Sequence, residues 1–228
     1  MAVEKAKSEQ LEDTNTSILS LMSTSKLPYV EGIELSEISS AEPVSGEFQT
    51  WYETSFGLLA VVGKVSNCTD DEKKLYVPLI VGALGVSATN SEIADPTEIL
   101  CNLNKYLNSQ EPITCSVSIS LAMWDASEQL LCVTNAGSAL VAVFTSEGSM
   151  TLDSMNPELG TDLKILEPPK ILDIGISECL VLDQKLIRRL GKDELKNIEL
   201  LSANQISETL ATDIGFTSGL ILKKIITL

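Results

Sequence analysis

Histidine is absent from all 228 residues. That single absence excludes Ser-His-Asp and Cys-His catalysis, histidine-ligated zinc and histidine-based pH switching. Chemistry in this chain must rest on carboxylates, lysine, serine or cysteine. Cations are scarce as well: 16 Lys and Arg stand against 32 Asp and Glu, a formal charge of −16. A surface for nucleic acid or for anionic lipid needs clustered cations to displace counterions, so neither partner is expected. Five cysteines, Cys68, Cys101, Cys115, Cys132 and Cys179, are widely spaced with no CxxC pair. They read as core thiols of a reducing compartment. Long apolar runs are missing too. The longest candidate, residues 77–88, contains Pro78, Gly82 and Gly85 and falls short of the roughly 18–20 residues of a membrane span. The N-terminus lacks the charged-then-apolar run of a signal peptide. A cytoplasmic protein is expected.

What is present is apolar content of 44%, enough for a sizeable core. Residues 4–25 are polar except for a thin stripe at Leu11, Ile18 and Met22, with Asn15 on the same line, the spacing of one helix face. A dimer-forming helix, a simple extension and an unfolded tail all remain open for it. Residues 1–28 are read as N-terminal helix and linker, and 29–228 as the main domain. A helix is expected from Pro78, as a first-turn proline, to about residue 88. Another is expected from Asp95-Pro96-Thr97-Glu98 to about residue 108, with an acidic cap, a proline at the first helical position and a Glu three residues after the cap. From Thr114 the period becomes two: Val117, Ile119 and Leu121 alternate with Ser116, Ser118 and Ser120, which predicts a strand with one wet face. Further strands are read at 130–133, 139–144, 163–166 and 178–182. A capping box at Ser202-Ala203-Asn204-Gln205 opens a helix to about residue 211, and a closing strand follows over 218–226. This order gives an α+β fold, an antiparallel β-sandwich flanked by helices.

Five short segments stand out in this frame. They are Ser45-Gly46-Glu47-Phe48 with Trp51 behind it; an apolar run ending in Gly63-Lys64-Val65-Ser66-Asn67; the helix from Asp95 with Leu100, Leu103 and Asn104; the turn Asn135-Ala136-Gly137; and a strand from Gly175 ending in Asp183-Gln184. Their succession, over residues 32–226, resembles the PPM-type metal-dependent serine/threonine protein phosphatases. The nearer likeness is to the bacterial branch of stage II sporulation protein E and the phosphatases that regulate stress sigma factors. Glu47 stands where that family has the Asp of Gly-Gly-Asp-Phe. Lys64 stands on the Asp and Asn67 on the Gly of Asp-Val-Ser-Gly, and Asp183 and Gln184 on the Asp-Gly of Thr-Asp-Gly.

The resemblance implies a site in which carboxylates gather between two sheets around two Mn²⁺ or Mg²⁺ ions. Glu47 and Asp183 keep carboxylates and are the candidate metal ligands if the chain is active. Lys64 replaces a carboxylate by a cation, and Gly215-Phe216 stand where the family's closing Asp-Asp falls, with Asp213 the nearest acid. The expectation is therefore a degenerate, non-hydrolysing member without a bound cofactor, in which Lys64 pairs with Glu47 and Asp183 in place of metals. An active Mn/Mg-dependent protein serine phosphatase with a reduced site is the alternative. The implied partner is a protein, either a serine-phosphorylated antagonist of an anti-sigma factor or a paralogous phosphatase. A homodimer through the N-terminal helix is a further expectation. Without the resemblance, Glu47 and Asp183 read as solvated strand-end acids, Lys64 as an edge lysine, and Trp51 and Trp124 as packing residues.

Overall fold

A computed structural model describes residues 27–39, 45–90, 95–109, 115–145, 148–154, 156–161, 167–176, 178–183, 201–213 and 218–226. The readings made for residues 4–25, for a strand at 163–166 and for Gln184, Gly215 and Phe216 lie outside these. The described elements are β1 (Ile33–Ser39), β2 (Glu47–Glu53), β3 (Gly57–Ser66), α1 (Asp70–Asn90), α2 (Pro96–Ser109), β4 (Ser116–Asp125), β5 (Leu130–Ala136), β6 (Leu140–Thr145), β7 (Gly148–Leu152), β8 (Lys170–Leu172), β9 (Cys179–Asp183), α3 (Ala203–Asp213) and β10 (Ser218–Lys224).

The strands form two five-stranded sheets, β1-β10-β9-β6-β7 and β2-β3-β4-β5-β8. Every strand pairing in them is antiparallel. Alternation along each strand sorts the side chains into three apolar layers. On β3, Leu59, Val61 and Val65 pack with Ile80, Leu84, Ile99 and Leu103 of the two long helices. Leu58, Ala60 and Val62 point the other way and meet Leu180, Leu182, Leu220 and Leu222 of the second sheet. Beneath α3, Val181 and Ile221 pack with Ile206 and Leu210. The architecture is thus the expected α+β sandwich with helices on its outer faces. Among the described residues no helix is long and apolar enough to cross a membrane.

The α2 signals work as read. Asp95 Oδ1 accepts the Thr97 amide at 2.7 Å, and Ile99, Leu100, Leu103 and Leu107 are buried. Two expectations need correction. Helix α1 starts eight residues before Pro78, because Thr69-Asp70-Asp71-Glu72 is itself a capping box. The Thr69 hydroxyl accepts the Glu72 amide at 3.3 Å, and Glu72 Oε2 accepts the Thr69 amide at 2.7 Å. Pro78 then lies inside the helix, where it lacks the amide that would bond one turn back, and packing of Val77, Ile80, Val81 and Leu84 offsets that loss.

The second correction concerns β4. Its serine face is not wet: Ser116, Ser118 and Ser120 are at most 1% exposed. β4 is the central strand of its sheet, so one face meets the helices and the other meets the second sheet.

One close fit locks β2 to β3. A Cβ on Gly63 would lie 2.2 Å from Cζ of Phe48, so the absent side chain is the space the phenyl ring occupies.

Candidate functional site

At one end of the inter-sheet layer the lining turns polar. The chain enters β2 through Gly46, whose φ of 84° is left-handed. A Cβ there would sit 2.7 Å from the carbonyl oxygen of Val65. This turn is held by the Val65 amide donating to the Gly46 carbonyl at 2.9 Å. The register that follows sets Glu47 directly across from Lys64, and Trp51 across from Ala60. Lys64 Nζ lies 3.0 Å from Glu47 Oε1, with side-chain exposures of 18% and 3%.

On its other side Lys64 is opposite Ser118 of β4. The Ser118 hydroxyl donates to Glu158 Oε1 at 2.9 Å and accepts from the Ser138 amide at 3.1 Å. Asn67, at a left-handed φ of 60°, donates from Nδ2 to the Ser116 hydroxyl at 2.8 Å. Asn is among the few side chains that adopt this conformation without large cost, so the turn keeps its shape with Asn67 in place of glycine.

The Asn135-Ala136-Gly137 turn closes the floor of the seam. Asn135 Nδ2 donates to the Ala139 carbonyl at 3.1 Å, and the buried Asn156 donates from Nδ2 to the Asn135 carbonyl at 3.0 Å. Gly137 has a φ of 70°, and a Cβ on it would collide with the Ser118 hydroxyl at 2.4 Å. At the mouth, Asp70 Oδ1 accepts from Ser45 at 2.9 Å and from Lys73 at 2.9 Å. These bonds, that of Lys73 foremost, hold the Asp70 carboxyl below the usual carboxylate range and tie the turn before β2 to the start of α1.

Asp183 closes β9, with its backbone between Leu140 of β6 and Gly219 of β10. The Gly219 amide donates to Gln49 Oε1 at 2.8 Å, a bridge between sheets one alternation step from Glu47. The Asp183 backbone and the Glu47–Lys64 pair are therefore at the same end of the sandwich. The side chains of Asp183 and Asp213 lie outside what the structure describes, as do Gly215 and Phe216.

Two contributors, and one further acid on the inter-sheet face of β1, were not singled out from sequence. Ser118 looked like a surface alternation, and Glu158 comes from a loop 40 residues further along the chain. Glu37 follows Ile33 and Leu35 on the β1 face that packs between the sheets, and burial raises its carboxyl above the usual range. An acid at an otherwise apolar alternation position was the available signal.

Hard divalent ions need several oxygen ligands. Among the described residues no group of three or more Cys, Asp and Glu side chains is arranged to hold a metal. A divalent ion at Glu47 would also meet the Lys64 ammonium, which already bonds that carboxylate at 3.0 Å. Two like charges at such range repel strongly where water is excluded. Among the described side chains, Glu47 paired with Lys64 does not by itself offer the oxygen ligands of a two-ion centre.

Two antiparallel sheets, helices outside and a polar seam at one end of the sandwich define the class of protein: a PP2C-type phosphatase fold. The SiaA PP2C domain of Pseudomonas aeruginosa matches with a TM-score of 0.71 and 16% identity, over 99% of this chain and 98% of that one. A structure of the RsbU and RsbW domains of a Mycobacterium tuberculosis protein matches with a TM-score of 0.63 and 13% identity, over 88% of this chain and 64% of that one. The serine/threonine phosphatase of S. agalactiae gives a TM-score of 0.64 and 12% identity, over 87% and 100%. No protein-family model matches the sequence, and no curated protein is significantly similar to it. At these identities the likeness establishes the fold.

Proposed function

We propose that the chain is a regulatory protein on the PP2C fold that binds a phospho-regulated signalling partner without hydrolysing it. The observation that carries this reading is the ion pair of Lys64 with the nearly fully buried Glu47, at positions where the resembling phosphatases place two metal-site carboxylates. An ammonium bonded to one carboxylate preserves the local fold while removing the charge that draws divalent ions to such a site. Gly215 and Phe216, standing at the closing acid pair, point the same way, and Asp183 is the remaining acid of the set. Domains of the RsbU kind and a structure described as part of the bacterial stressosome share the fold. They support a signalling role, and the sequence resemblance supplies the finer reading: sigma-factor partner switching in the cytoplasm, with an antagonist of an anti-sigma factor or a paralogous phosphatase as the protein bound.

The test is a calorimetric Mn²⁺ titration of metal-stripped protein beside Asp183→Ala. The expected result is no heat up to millimolar metal in either. Tight binding that Asp183→Ala abolishes would overturn the proposal in favour of a Mn/Mg-dependent protein serine phosphatase with a reduced site.

A further inference from the structure

All five cysteines are free thiols, and they occupy two environments. Cys179 is fully buried on the α3 side of its sheet. Cys68, Cys101, Cys115 and Cys132 lie in or against the layer between the other sheet and the long helices. Two of these four come together where β3 and β4 part. The ladder ends with Ser66 opposite Ser116, so Asn67 and Cys115 are next in register and Cys68 follows one residue on. In a continuing strand Cys68 would share the face of Lys64 and Ser66, which looks toward the second sheet. Asn67 is left-handed, with φ of 60°, and this breaks the alternation. Cys68 packs instead on the helix side, in the cluster that holds Cys115. The Asn67 side chain donates to the Ser116 hydroxyl at 2.8 Å and keeps the two segments together. Opposed residues of an antiparallel pair have Cα atoms about 4.5–5.5 Å apart, within the span of roughly 4.4–6.8 Å that a disulfide bridges. Burial raises the Cys115 thiol to about 11, and a charge on Cys68 adds to the rise, so the two sulfurs lie within electrostatic reach of each other.

We propose that Cys68 and Cys115 are the site of a reversible disulfide, formed by exchange with a low-molecular-weight disulfide of the glutathione class. Their unequal access sets the order of events. Cys68 is half-buried between the exposed Asn67 and Thr69, whereas Cys115 is 1% exposed. The Cys68 sulfur loses its proton, attacks one sulfur of the small disulfide and expels one small thiol, leaving a mixed disulfide. Cys115 then loses its proton, attacks the Cys68 sulfur from the interior and expels the second small thiol. Two protein thiols give up two electrons and two protons, and one small disulfide becomes two small thiols. Both cysteines rest as thiols, since burial and then the Glu72 carboxylate raise Cys68 as well. Exchange is therefore slow and answers sustained oxidising conditions. The bond ties the start of α1 to the start of β4. It lies two residues from Asp70, whose bonds to Ser45 and Lys73 stand at the mouth of the seam. The inference stands independently of the proposed function.

The test incubates the folded full chain with oxidised glutathione at neutral pH and maps its proteolytic fragments by mass spectrometry without reductant. The expected product is a single intrachain link between the fragments carrying Cys68 and Cys115, with a Tm raised by about 5 °C or more that returns to its starting value in dithiothreitol. Cys115→Ala is expected to stop at a glutathione adduct on Cys68. Cys68→Ser, a change at the half-buried position that leaves the core intact, is expected to form neither adduct nor link at Cys115. A wild-type chain that stays unreacted, that keeps glutathione on Cys68 without resolving it, or that links any other pair would overturn the inference. So would a link that fails to raise the Tm, because the fold would then have to distort to make it.

Discussion

Along β3 the side chains facing the second sheet run Leu58, Ala60, Val62 and then Lys64, while along β4 the same face runs from Trp124 and Ala122 to Ser120, Ser118 and Ser116. The two ends of one interior are thus built of different matter. At the apolar end Trp124 is fully buried, with its indole nitrogen donating to the Glu31 carbonyl at 3.0 Å and Lys224 Nζ 5.8 Å from the ring centroid. At the polar end Lys64 and Ser116, Ser118 and Ser120 occupy the corresponding positions, with Glu47 across from Lys64 and Glu158 bonded to Ser118. Burial of hydrocarbon drives folding at the first end. At the second, desolvation offsets much of what the ion pair contributes, so its value lies in fixing which groups face one another.

The comparison can be broken most sharply at Trp124. Trp124→Ala is expected to cost about 3–5 kcal/mol of stability in urea unfolding, from lost burial and the cavity left behind. At the other end, Lys64→Ala is expected to cost about 1–3 kcal/mol, because Glu47 keeps its burial and loses the charge-assisted bond from the Lys64 ammonium. The paired change Lys64→Met with Glu47→Leu should recover most of that by extending the hydrocarbon end into the polar one. A Lys64→Ala protein as stable as wild type would show that the two ends do not differ in this way. The smallest effect is expected at Glu37. Burial raises its carboxyl in the folded chain, so its protonated form is the one folding favours. That contribution is complete below the ordinary carboxylate value and is lost as pH rises through the folded one. Glu37→Gln should therefore raise the Tm near neutral pH, with the gain closing as the pH falls through the raised folded value and gone below about 4.5. A gain that is independent of pH would point to packing instead of charge.

The sequence carries local signals more openly than spatial ones. The α2 boundaries could be read because Asp95, Pro96 and the Leu100, Leu103, Leu107 face are all local features. The start of α1 was misread because Pro78 is a stronger punctuation mark than the Thr69–Glu72 box that sets the boundary. The Ser116, Ser118, Ser120 alternation has the right period for a strand. Period alone does not say whether the polar face meets water or another sheet. Within the site, Glu47 and Lys64 were singled out by resemblance, but their opposition follows from a register fixed by the Gly46 turn. Glu158 had no signal, since only the folded chain brings its loop to Ser118.

The fit of Phe48 into the space at Gly63 has a consequence for inheritance. A methyl group at position 63 is incompatible with a ring at 48, so a substitution at either position constrains the other. The two must drift together through descent, whether or not the carboxylates beside them persist. A small residue facing an aromatic across these two strands is therefore a paired feature by which the β2–β3 register of this fold can be recognised in sequence.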